Sequence, residues 1–122
     1  MSRLMTNELA EALKQYPLYS QDAKGKDAIC VAVFFIGNIR WYVLEGQPEG
    51  DDYTIYSIVV GMDTTEYGYA SIKEMESIEV KTGNALLPLV HIMQDKDFKS
   101  CQLCGIPDNE LQEFLLEFER KN

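Results

Sequence analysis

An α+β fold is the architecture this sequence predicts, on three observations. Strand-length runs, apolar or alternating, fill the region from Ala28 to Val60 with turn residues between them. Amphipathic segments at helical spacing stand near both ends, and a Ser-x-x-Glu capping box at Ser71 opens a third helix between them. Together they imply a mainly antiparallel sheet of four to five strands, with N-terminal, central and C-terminal helices packed over one face. A chain of 122 residues suffices for one core, so residues 1–122 are read as a single domain.

The first helix is expected over Thr6 to Tyr16, where Leu9, Ala12, Leu13 and Tyr16 repeat at i, i+3, i+4, i+7 and Thr6 or Asn7 can accept a free backbone N–H. Pro17 stops it, because proline lacks the N–H and crowds the preceding turn. Ser20 to Asp27 is a polar connection. Ala28 to Ile36 is a continuous apolar run, as expected of a strand covered on both faces, with Cys30 a packed thiol inside it. Gly37-Asn38 tolerates positive φ and joins this run to Ile39–Glu45 as a hairpin. Alternation puts Ile39, Trp41 and Val43 on one face and Arg40, Tyr42 and Leu44 on the other, with Trp41 in the core.

Gly46 to Asp52 is read as a solvated loop, and Tyr53 to Val60 as the next strand. Glu66 to Ala70 is a short edge-like strand or extended turn. The Ser71 box then starts a two-turn helix pointing Ile72, Met75 and Ile78 inward. Lys81 to Leu87 contains Gly83-Asn84 and must turn, Pro88 to Met93 is a short apolar stretch, and Lys99 to Leu103 is a last strand. Asp108 caps a final helix with Leu111, Phe114, Leu115 and Phe118 on one stripe.

Composition narrows the function classes. Hydrophobic residues make up 46% of the chain, which separates it from disordered sequences. Eleven basic residues against twenty acidic leave a net charge of −9, so direct binding to nucleic acid or to an anionic membrane surface is disfavoured. An acidic surface can instead dock on a basic groove, including one that otherwise holds nucleic acid. No apolar run approaches the ~20 residues that cross a bilayer. The first residues lack the basic start and apolar core of an export signal, so a cytoplasmic location is expected. Cys30, Cys101 and Cys104 are an odd count, which argues against a disulfide framework.

Candidate chemistry is sparse. Cys101-Gln102-Leu103-Cys104-Gly105 has the spacing of half a zinc site, but a structural zinc needs four ligands, and only His91 and Cys30 remain to complete it on paper. The two cysteines are read as ordinary thiols and no metal is expected. His91, the sole histidine, lies in an apolar stretch without a nucleophile motif beside it. Glu49-Gly50-Asp51-Asp52 lacks the calcium-loop pattern, and no phosphate-cradling glycine loop occurs, so no cofactor is expected.

The central segment resembles a bacterial family known only as a domain of unknown function, common on plasmids, phages and conjugative elements. The residues that carry the resemblance are Phe34-Phe35, Trp41 to Glu45, Val59-Val60-Gly61 and Glu66 to Glu76, with Thr6 to Leu9 as the opening. It spans roughly Leu4 to Val80. The family pattern has Phe where this chain has Ala70, and a Glu-Arg-Asp segment that has no counterpart between Leu89 and Phe98. The resemblance implies a bacterial accessory protein of mobile DNA, modulating host defence or DNA transfer, and it carries no activity.

The reading these observations favour is a non-enzymatic protein-binding module. Its binding surface is expected at Glu45, Asp51, Asp52, Glu66, Tyr67 and Tyr69, since tyrosine offers large contact area at low entropic cost and is enriched at interfaces. The rival reading is a small enzyme or metal-binding protein using carboxylates with Tyr or His91. A third is a homodimer through the Phe114 and Phe118 stripe of the C-terminal helix.

Overall fold

The structure, a computed structural model, describes residues 2–84 and 86–121. Its centre is an antiparallel sheet formed by β2 (Ala32–Ile36), β3 (Ile39–Glu49), β4 (Asp52–Val60), β5 (Glu66–Ser71) and the two-residue β8 (Met93–Gln94). The strands lie in the order β5-β4-β3-β2-β8. The expected α+β class and the antiparallel sheet are what the chain adopts. Gly37-Asn38 closes the β2–β3 hairpin with Ile36 opposite Ile39, and Gly37 has a φ of +56°, where an L side chain is disfavoured.

Between β3 and β4 the expected loop is absent. Pairing continues through Pro48–Tyr53 to Glu49–Asp52, leaving Gly50-Asp51 as a two-residue turn. Proline is tolerated there because β2 pairs with β3 only as far as Val43, so beyond that point β3 has one free edge. The peptide N–H of Gly46, farther along the same free edge, donates to Tyr16 O at 3.0 Å.

Helices cover both faces of the sheet, and the expectation of one covered face is corrected. On the first face α1 (Asn7–Leu13) and α2 (Ile72–Ser77) bury Leu9, Leu13, Ile72 and Met75 against Phe34, Trp41, Val43 and Ile55. On the second, α3 (Asn109–Lys121) buries Leu111 and Leu115 against Tyr42, Leu44, Ile58 and Val60. The physical reason is strand alternation: β2, β3 and β4 carry large apolar residues on both sides, and each face needs a cover. Burying each such side chain stabilises the fold by about 1.5–3 kcal/mol before chain entropy is subtracted.

Local departures have local causes. Helix α1 ends at Leu13, and the chain reaches Pro17 through single turns, Gln15 N to Ala12 O and Tyr16 N to Leu13 O. The Ala28–Ile36 run divides at Val31: β1 (Ile29–Cys30) pairs with β9 (Cys101–Gln102), and β2 stays in the sheet. The expected strand over Lys99–Leu103 is only those two residues of β9. Ile78 does not point inward, since it is the extended residue that ends α2, and it is exposed. A hairpin of β6 (Glu79–Asn84) and β7 (Leu87–His91) follows. The turn expected within 81–87 includes Ala85, which lies outside the described residues. Among the described residues no helix is long and apolar enough to cross a membrane.

Candidate functional site

The chemistry on the surface gathers where edge strand β5 meets α3. Alternation sends Tyr67 and Tyr69 to the α3 side of the sheet, and the register sets Tyr69 opposite Tyr56 and Tyr67 opposite Ile58. Tyr56 and Tyr67 stack 5.5 Å apart at 5°, and Tyr69 tilts over Tyr56 at 4.6 Å. From α3, Phe114 and Phe118 meet the Tyr67 ring edge-on at 5.4 and 5.2 Å. Such edge and offset contacts follow the ring quadrupole. Tyr69 remains 55% exposed at the end of the cluster.

Carboxylates rim these rings. Glu110, Glu113 and Glu117 rise along one side of α3 and, with Thr65, Phe114 and Phe118, line a groove of about 480 Å³. Two of the three have weak cationic neighbours, Arg40 at 3.9 Å from Glu110 and Arg120 at 3.8 Å from Glu117. The Phe114–Phe118 stripe, the interface in the third reading of the sequence, lies against Tyr67 of its own chain.

The six residues expected as a binding surface do not form one patch. Glu45 is only 1% exposed and is not a surface charge. The reason is a β-bulge: Val43 pairs with Ser57 and Glu45 with Tyr56, so Leu44 is an extra residue and both Leu44 and Glu45 face α3. The two carboxylate oxygens accept the backbone N–H groups of Tyr19 and Gln21, at 2.7 and 2.8 Å. Asp51 and Asp52 lie at the β3–β4 turn beside α2. There Lys73, at 2.6 Å, holds the Asp51 carboxyl below its ordinary range. The hydroxyl of Ser71 and the backbone N–H of Tyr53 do the same for Asp52. Glu66 is exposed but on the side of β5 opposite Tyr67. Tyr67 and Tyr69 alone join the ring cluster.

A second constellation escaped the sequence reading. Among the described residues the largest groove, about 700 Å³, runs past Phe35, Arg40, Tyr42, Phe98 and Asp108. Asp108 Oδ2 accepts Arg40 Nε at 2.8 Å and the Tyr42 hydroxyl, and Oδ1 accepts Leu111 N at 3.3 Å as the α3 cap. Burial opposes ionisation of Asp108, yet the Tyr42 hydroxyl and the Arg40 guanidinium outweigh it and hold the carboxyl below its ordinary range. Burial first, then Asp108, pushes the Tyr42 hydroxyl far up. Both groups are thereby moved away from neutral pH, the reverse of what general acid–base work requires. The trio fastens α3 to the sheet.

Cys101 faces Cys30 across β1–β9, and Cys104 is exposed in the following turn. His91 sits opposite Glu79 in the β6–β7 hairpin and does not line the Tyr42–Asp108 groove. Among the described residues no three His, Cys, Asp or Glu side chains converge as a metal centre requires.

Fold and surface thus define a small α+β protein with an acidic, aromatic face. The chain belongs to the family described as "Protein of unknown function (DUF2958)", which it matches over residues 4–104. The match runs past Val80 through β9, and α3 lies outside it. No curated protein matches the chain, and no solved structure does.

Proposed function

We propose that this is a non-enzymatic protein-binding module whose β5–α3 face docks a basic surface on a partner protein, acting in the bacterial cytoplasm as an accessory of mobile DNA that modulates host defence or DNA transfer. The observation that carries the reading is the half-open ring cluster of Tyr56, Tyr67, Tyr69, Phe114 and Phe118 with Glu110, Glu113 and Glu117 beside it. Aromatic anchors inside a charged rim are the usual anatomy of a docking surface, and opposite charge speeds encounter and rejects wrong partners. A second copy of this chain, itself at −9, brings the wrong charge to this face. The enzyme reading draws less support, because the carboxylate and tyrosine that meet in the largest groove are tied to each other and to α3.

Charge reversal tests it. Glu113→Lys with Glu117→Lys is expected to remove basic proteins captured by the wild-type chain, and ~0.5 M salt should release them in the same way. Retention of the same partners by the double variant would overturn the reading.

A further inference from the structure

A smaller cavity, about 210 Å³, opens beside the ring cluster, with Asp22, Leu44, Glu45, Tyr56, Tyr67 and Phe118 in its walls. That is less than the ~300 Å³ at which small-molecule sites begin, and matches the end of one side chain. Tyr56, Tyr67 and Phe118 form its aromatic side, with the Tyr56 and Tyr67 rings lying parallel. The buried Glu45 carboxylate has backbone N–H groups on its oxygens, and among the described residues no Lys or Arg makes an ion pair with it. Asp22 is exposed in the cavity wall, and Glu119 of α3 comes within 3.2 Å of where a Gly25 Cβ would stand.

The electrostatics agree with this geometry. Burial raises the Tyr56 hydroxyl, and Tyr67, Glu45 and Asp22 add to the shift; burial and Glu119 raise Tyr67. On the same loop Lys26 is taken up by Asp27 at 3.4 Å, and Lys24 is exposed.

The loop that brings Asp22 to the site is held in a costly shape. Tyr19 and Ala23 have φ of +76° and +66°, a region that disfavours side chains. Gln21 pins the loop by donating to Ile29 O and Leu44 O and accepting Ile29 N, while Glu45 holds its backbone. Strain maintained by buried polar contacts fits a preorganised recognition site.

The geometry points to a socket for one arginine side chain of the partner protein, which rests on the docking reading above and supplies its anchor. A guanidinium is flat, stacks on aromatic faces, sheds its hydration more easily than an ammonium, and can bridge Asp22 while Glu45 stabilises its charge from below. Arginine is also a favoured residue at interface hot spots.

The test is an NMR titration of isotope-labelled protein with two blocked tripeptides, acetyl-Gly-Arg-Gly-amide and its lysine counterpart. The arginine peptide is expected to give saturable shifts at the amides of Asp22, Ala23 and Tyr56 with a Kd of about 1–10 mM, at least ~3-fold tighter than lysine. Asp22→Asn, an exposed change that leaves the remaining spectrum in place, should weaken it at least ~3-fold, and Tyr56→Leu should abolish the ring-current shifts. Silent cavity amides, equal response to lysine, or indifference to Asp22→Asn would each overturn the socket. A basic peptide that shifts Glu113 and Tyr69 while the cavity stays silent removes the socket and keeps the docking face. No shifts from either kind of peptide remove both.

Discussion

Asp108 joins three partners at one carboxylate: the guanidinium of Arg40, the hydroxyl of Tyr42 and the first turn of α3. Asp108→Ala is therefore expected to cost about 2 kcal/mol in urea denaturation, combining a lost helix cap with a buried Tyr42 hydroxyl left without its acceptor. Its pH signature has a definite sign. The Asp108 carboxyl lies lower in the folded chain than in the unfolded one, so its contribution is full above the unfolded value near ~4 and disappears as pH falls through the folded value. The Tyr42 hydroxyl lies higher in the folded chain, so its contribution is full below ~10 and is lost as pH rises beyond that. Tyr42→Phe should flatten the alkaline limb of the stability profile and, because the same hydroxyl helps hold Asp108 down, make the acid limb shallower as well. An unchanged alkaline limb would separate Tyr42 from that loss. The helix cap at Asp108 was legible from the sequence, but its ties to Arg40 and Tyr42 were not, since Arg40 and Asp108 are 68 positions apart and nothing local joins them.

At the level of elements, the turns were the readable part. Gly37-Asn38 between two alternating runs specifies its hairpin by φ preference and spacing alone. Two glycines separate the requirements of a turn from those of packing. Gly37 has positive φ and open space where a Cβ would go, whereas Gly61, at φ +100°, would place a Cβ 2.2 Å from Asn38 O. Gly37→Ala should cost about 1 kcal/mol, and Gly61→Ala at least twice that, ranked by urea midpoints. The β3–β4 turn was misread because Gly, Pro and acids suggest a loop, and only the partner strand reveals that Pro48 faces a free edge. The three glutamates of α3, spaced i, i+3 and i+7, were passed over in the sequence, because their value depends on Tyr67 arriving from β5. Both covers of the sheet were also foreshadowed: a continuous run such as Ala28–Ile36 already calls for burial on two sides.

Across the whole molecule, charge acts in two opposing ways. A net −9 repels itself in the compact state and attracts a basic partner, and salt screens both. Raising ionic strength from about 0.02 to 0.3 M is expected to raise the Tm by a few degrees and to weaken partner binding at least ~10-fold. Melting curves and binding isotherms in the same buffers check the pair, and a docking affinity indifferent to salt would contradict an electrostatic face. The single added residue at Leu44 has a reach well beyond its size. It acts as a phase slip in a two-beat rhythm, turning Glu45 toward the tyrosines and letting side-chain-free Gly46 meet Leu13 of α1, whose Cδ1 lies 3.1 Å from where a Cβ would stand. Excising it would restore the beat with Glu45 still opposite Tyr56 and Gly46 still under α1, so the deletion would take the Leu44 side chain out of the α3-side core and out of the wall of the cation socket.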